Sequence, residues 1–252
     1  VPSVSRRAAG QVLGACGLAL ALCGCATTQT TAARLRLNDD RIRASELPTR
    51  VTPGQVSSSV VVSAQTLLSA RGHFTAVVRL SNHAGAAVSD LPVSIGYRRG
   101  ARTVYLNAAA ANYFDNHLPA IAAHGTLSWV TTGSGQIPKQ ARTFVRIGAT
   151  PTVRPGRFTP PVIAVSRVTT AGAGTAGGSV LAAQVTNRSS IPQYQLPVYA
   201  VITDHGQVVG GSNRSIADLA GGATAVVRLA LPAGAAGENL SVRVEVPATI
   251  FK

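Results

Sequence analysis

The chain has 252 residues, with 23 Lys and Arg against 9 Asp and Glu, and a formal net charge of +14. That length suffices for one large domain or two small ones. Beyond the N-terminal region the acids are only Asp90, Asp115, Asp204, Asp218, Glu238 and Glu245, none paired in sequence, which argues against paired-carboxylate catalysis.

Arg6-Arg7 come first, an apolar and small-residue run follows over residues 12–22, and Cys23, Gly24 and Cys25 close it. A basic segment, an apolar segment and a small residue before a cut form the layout of an export signal. With a cysteine directly after the cut, Leu22-Cys23-Gly24-Cys25 resembles the lipobox of bacterial lipoproteins. The resemblance implies cleavage between Gly24 and Cys25, a diacylglycerol on the Cys25 thiol, and an extracytoplasmic protein whose first partner is membrane lipid. Leu13-Gly14-Ala15-Cys16 also fits the pattern, but the apolar stretch before Cys16 is shorter than the ~7–15 residues of an export signal. Two other readings stay open: a secretory signal without lipidation, and a retained span, for which the run falls short of the ~20 residues required. Cys16 and Cys23 leave with the signal, so lipidated Cys25 would be the sole cysteine of the mature chain. No thiol then remains for a disulfide, a cysteine metal site or a cysteine nucleophile, and packing alone stabilises the fold.

Residues 25–54 read as a lipid-anchored spacer. Residues 26–31 are small and uncharged, and residues 34–46 mix charges with a few apolar side chains and are expected to be mostly irregular before Pro48 and Pro53. From Val56 the texture is β. Residues 73–80 alternate, with Phe74, Ala76, Val78 and Leu80 on one face and Thr75, Val77 and Arg79 on the other. Further strands are expected at 56–64, 91–97, 102–106, 126–131 and 143–147, separated by turn residues, as in an antiparallel sandwich. Pro151, Pro155-Gly156 and Pro160-Pro161 then mark a stiff linker.

After the linker the pattern repeats. Asn82 and Leu91-Pro92-Val93 match Asn187 and Leu196-Pro197-Val198. Ala76, Val78 and Leu80 match Leu181, Ala183 and Val185. Gly100 and Asn107 match Gly206 and Asn213; Ile121, Thr126 and Trp129 match Leu219, Thr224 and Val227; Val145-Arg146-Ile147 matches Val242-Arg243-Val244. The matches keep the same apolar face, which a one-residue slip would invert. The expected fold class is therefore all-β: two tandem immunoglobulin-like antiparallel β-sandwiches after a signal peptide and flexible spacer. The divisions are signal 1–24, spacer 25–54, sandwich 55–149, linker 150–161 and sandwich 162–252.

The second copy carries an Asn after its second strand (Asn187), an apolar central strand (196–202), a turn at His205-Gly206-Gln207-Val208-Val209 and the approach Leu219-Ala220-Gly221-Gly222-Ala223-Thr224. These features resemble the small bacterial immunoglobulin-like modules of the FxLYD and CARDB type over residues 162–246, with a fainter echo over 60–147. The resemblance implies a fold more than a function.

The copies differ most between Asn107 and Ile121, where the first has an insertion around residues 108–117. Asn107 is placed to cap a short helix through its alanine run. Insertions on rigid scaffolds often carry binding. Tyr113 and Phe114 either plug the end of the sandwich or contact a ligand together with Arg98, Arg99 or Arg102, the one local cluster of positive charge. The histidines His73, His83, His117, His124 and His205 have no metal-site spacing, and default to solvated turn positions. Neither Gly133-Ser134-Gly135 nor residues 172–178 has a nucleophile-elbow or phosphate-loop context. The expectation is a non-catalytic structural or binding module of the cell envelope, without cofactor or metal and without a nucleic-acid partner. Its alternatives are a binding protein for an anionic envelope polymer and, further off, an enzyme.

Overall fold

Two hairpins, one in each half of the structure, close with the same backbone chemistry: Arg71-Gly72, between the first two strands, has φ of 51° and 80°, and His205-Gly206 has 48° and 81°. Two successive left-handed residues make the tight turn whose twist matches the flanking strands. The computed structural model describes residues 28, 31–32, 34–35, 38–39, 51, 56–108, 113–149, 160–171, 179–231 and 240–249. The expected signal with Gly24 and Cys25, the core of the linker at 150–159 and the glycine-rich 172–178 lie outside them. Of the spacer, the described positions between 28 and 39 are helical and exposed, where irregular chain was expected.

The first sandwich contains β1 (Val60–Ala70), β2 (His73–Asn82), β3 (Val93–Arg99), β4 (Arg102–Tyr105), β5 (Thr126–Ser134) and β6 (Arg142–Ile147). The second contains β7 (Ile163–Ala171), β8 (Val180–Asn187), β9 (Gln193–Asp204), β10 (Gln207–Leu219), β11 (Thr224–Ala230) and β12 (Leu240–Glu245). Sheet β1-β2-β5 faces sheet β4-β3-β6, and sheet β7-β8-β11 faces sheet β10-β9-β12. All pairings are antiparallel. The chain is thus all-β, with two antiparallel sandwiches of the same strand order in tandem.

Alternating apolar side chains of the strands build the cores. Val78, Leu80, Val93, Ile95, Leu127, Trp129 and Ile147 fill the first, and Leu181, Val185, Leu196, Val198, Ile202, Val227 and Leu229 fill the second. Each such side chain contributes about 1.5–3 kcal/mol by leaving water. Even the bulges recur, between Val62 and Ala64 in β1 and between Ser166 and Thr169 in β7.

Pairing corrects one match in the repeat. Ile95 faces Val145 and Ala200 faces Val244, so Val145 corresponds to Val244 and not to Val242. A two-residue slip keeps every side chain on its face, so alternation alone does not reveal it.

The two sandwiches are docked. Val77 and Val130, on the outer face of the β1-β2-β5 sheet, are 5% and 0% exposed, and Tyr199 and Val201 from β9 belong to the first core cluster. Gly211 permits the approach: a Cβ there would lie 2.8 Å from Val77 Cγ2 and 3.0 Å from Val130 Cγ1. At the rim, Ser128 donates its backbone N–H (2.7 Å) and its hydroxyl (2.8 Å) to the two carboxylate oxygens of Glu245.

Candidate functional site

The insertion sits where the two sandwiches meet. The chain leaves the β4 edge at Leu106, whose N–H donates to Ile95 O, and rejoins at His117, bridged to Pro92. Asn107 is 3% exposed, and its side chain does the work of a missing strand residue: Oδ1 accepts from Ile95 N–H, while Nδ2 donates to Val93 O and Asp115 O. It does not serve as the expected helix cap; the described part of the insertion is a single 3-10 turn, Tyr113–Asp115, and residues 109–112 lie outside the described set.

Phe114 and Asp115 are buried. The Trp129 indole N–H donates to Phe114 O at 2.8 Å, which ties the turn to the first core. The Asp115 carboxylate accepts from Thr131 Oγ1 at 3.2 Å and from Asn213 Nδ2 at 2.7 Å. Asn213, the counterpart of Asn107, thus reaches across from the second sandwich to the same residue. Beside this node lies Tyr199, whose hydroxyl is buried and makes no well-formed hydrogen bond, meeting the Trp129 indole only weakly. Burial first, and then the Asp115 charge, push its phenol well above its ordinary range, against a smaller opposing effect of Trp129.

Tyr113 is half-buried, stacked on the His117 ring at 4.5 Å, and donates its hydroxyl to Asp90 Oδ1 at 3.3 Å. His117 is not the solvated turn residue that was expected: it is 3% exposed. Its Nδ1 meets Asn116 Oδ1 at 2.7 Å, and its Nε2 is buried without a partner. Burial lowers its pKa to about 4, against a smaller opposing effect of the Tyr113 backbone, so the ring is neutral. His73, His83, His124 and His205 are exposed. Among the described residues no three His, Cys, Asp or Glu gather in a metal-binding group, and no helix is long and apolar enough to cross a membrane.

Arg98, Arg99 and Arg102 are exposed at the tip of the β3–β4 hairpin. They are not brought to Tyr113 and Phe114, whose loop is fastened at the opposite end of β3 through Pro92 and Val93, about 20 Å away at ~3.3 Å per residue. Within the cluster, Arg98 faces outward beside Thr103, while Arg99 and Arg102 pair with each other on the other side of the pleat.

Arg98 instead joins residues that sequence reading did not single out. On the outer face of the β4-β3-β6 sheet, Gly96 lies between Tyr105 and Phe144, and Arg98 lies between Thr103 and Arg142. Tyr105 and Phe144 meet edge to face at 5.7 Å. The guanidinium of Arg146 lies 4.8 Å, and that of Arg98 5.9 Å, from the Phe144 ring centre. The Phe144 ring leans over Gly96, where a Cβ would lie 2.7 Å from its Cζ. The only trace in the sequence is the outward alternation of Arg142, Phe144 and Arg146 along β6.

No protein-family model and no curated protein matches the chain. Among solved structures, the chain is similar to the exo-chitosanase CsxA of Amycolatopsis orientalis at 13% identity and a TM-score of 0.28, over 75% of this chain and 26% of that one. The chain therefore spans about a quarter of that enzyme's matched chain.

Proposed function

We propose that the chain is a membrane-anchored lipoprotein of the cell envelope whose folded part is a non-catalytic structural or binding module. The observation that carries this reading is the N-terminal pattern: Arg6-Arg7, the apolar run, and Leu22-Cys23-Gly24-Cys25. Lipid on Cys25 tethers the chain, since each buried methylene contributes ~0.8 kcal/mol. The folded part supports a display role. Its two sandwiches are docked through buried Val77, Val130 and Tyr199. Its buried polar side chains serve structure: Asp115 is held by Thr131 and, across the seam, by Asn213, and His117 is packed under Tyr113. The test is fractionation of bacteria expressing the chain and its Cys25→Ser variant. The wild type is expected in the membrane fraction, and the variant is expected to be released or unprocessed. Identical fractionation and processing of the two would overturn the reading.

A further inference from the structure

The outer face of the β4-β3-β6 sheet combines three arginines, two aromatic rings and no acid. Arg98 and Arg142 are exposed and Arg146 is half-exposed. Among the described residues none of the three is ion-paired; the salt bridges there join Arg34 to Asp218, His205 to Asp204 and Arg243 to Glu245. Phe144 holds the Arg98 and Arg146 guanidiniums by cation–π contact. That contact uses the flat of a guanidinium and leaves its N–H edges for a carboxylate or phosphate.

The internal repeat sharpens the point. The corresponding face of the second sandwich is covered by the first. There Glu245 faces Tyr199 across the ladder, as Arg146 faces Ser94, so Arg146 stands where Glu245 stands. Glu245 docks on Ser128. The first copy therefore carries the opposite charge at its docking position. A second chain stacked in the same manner would fit poorly: the counterpart of Ser128 is Val226, exposed and without a side-chain acceptor for the Arg146 guanidinium.

We propose that this face binds an acidic polysaccharide. Arg142 and Arg146 are four residues apart on β6, about 13 Å at ~3.3 Å per residue, a span longer than one sugar ring and suited to a repeating anionic chain. Single-stranded nucleic acid needs open aromatic faces for its bases; here Phe144 is engaged by Gly96, Arg146 and Tyr105. The proposal rests on the envelope reading only for where such a polymer is met.

The test uses the detergent-solubilised full chain and polygalacturonate, with its fully methyl-esterified form as the neutral probe. Arg98→Gln/Arg146→Gln is compared with Arg214→Gln/Arg228→Gln, which removes the same charge from the other sandwich, and with Phe144→Leu. Trp129 fluorescence reports that the first sandwich is folded in each. The expected result is salt-dependent binding of polygalacturonate and none of the ester. Affinity should fall about tenfold or more in Arg98→Gln/Arg146→Gln, in keeping with the loss of charge-assisted hydrogen bonds, by a smaller factor in Phe144→Leu, and little in the control pair. Equal affinity of the two double variants overturns the proposal, as does equal binding of the ester. Tighter binding to oligo-dT or to phosphatidylglycerol vesicles than to polygalacturonate also overturns it. Membrane fractionation of the same variants is read separately, so failure of this face and failure of the lipid anchor are distinguishable.

Discussion

Asn82 and Asn187 make the same four hydrogen bonds in the two sandwiches. Asn82 Nδ2 donates to the carbonyls of Ala86, Ile121 and Ala122, and its Oδ1 accepts from Ala84 N–H. Asn187 Nδ2 donates to Ile191, Leu219 and Ala220, and its Oδ1 accepts from Ser189 N–H. Each fastens the end of the second strand of its sandwich to the approach of the fifth. Replacing either with Ala strands several backbone groups and is expected to cost about 2–4 kcal/mol. Asn→Asp at the same sites is expected to be worse, because it turns a carboxylate toward three carbonyl oxygens. Urea denaturation checks both. Since Trp129 is the only tryptophan, fluorescence reports the first sandwich while circular dichroism reports both.

The docking of the sandwiches is expected to depend on Gly211 and on the Ser128–Glu245 pair. Gly211→Ala forces its Cβ against Val77 and Val130 and should cost about 1–3 kcal/mol. Ser128→Ala and Glu245→Ala are expected to couple by about 1–2 kcal/mol in a double-mutant cycle through the hydroxyl–Oε1 bond, the backbone N–H bond to Oε2 being kept in Ser128→Ala. Additive effects would mean that the Ser128 hydroxyl does not help to hold the interface.

The Tyr199 hydroxyl is buried without a well-formed hydrogen bond, its contact with the Trp129 indole being weak. Tyr199→Phe keeps the ring and removes the stranded group, so thermal denaturation should show it as stable as the wild type or up to about 1 kcal/mol more stable. A loss of stability would show that the hydroxyl is satisfied in solution.

His117 gives the fold a defined pH response. Its folded pKa of about 4 lies below the ~6.5 of an unfolded histidine. Between these values the unfolded chain binds a proton that the native chain does not. Stability from this residue is therefore fully present above about pH 6.5 and declines as pH falls toward 4, by up to about 3 kcal/mol. Urea midpoints from pH 4 to 7.5 should show the decline, and His117→Gln should flatten its share of it.

Much of the strand pattern was legible in the sequence because one-sided burial writes itself as alternation. Residues 73–80 are the clearest case. The repeat was legible because Asn82 and Asn187 keep their offsets to the strands they cage. What escaped were surfaces that depend on what covers them. Val77 and Val130 look like outward residues of a half-buried sheet and are buried by the second sandwich. The near-continuous apolar run at 196–202, buried on both sides, was the available sign of that contact. The grouping of Arg98 with Phe144 and Arg146 rests on the β3–β6 register, which no local pattern encodes. Arg98, Arg99 and Arg102 are close in sequence, yet the pleat divides them.

The measurement that bears most directly on the proposed function is the intact mass and N-terminal residue of the protein extracted from bacterial membranes. The account predicts a chain beginning at Cys25 and carrying a diacylglycerol, with that mass increment lost in Cys25→Ser. A membrane-extracted chain that retains residues 1–24, or begins at Cys25 without lipid, would contradict it.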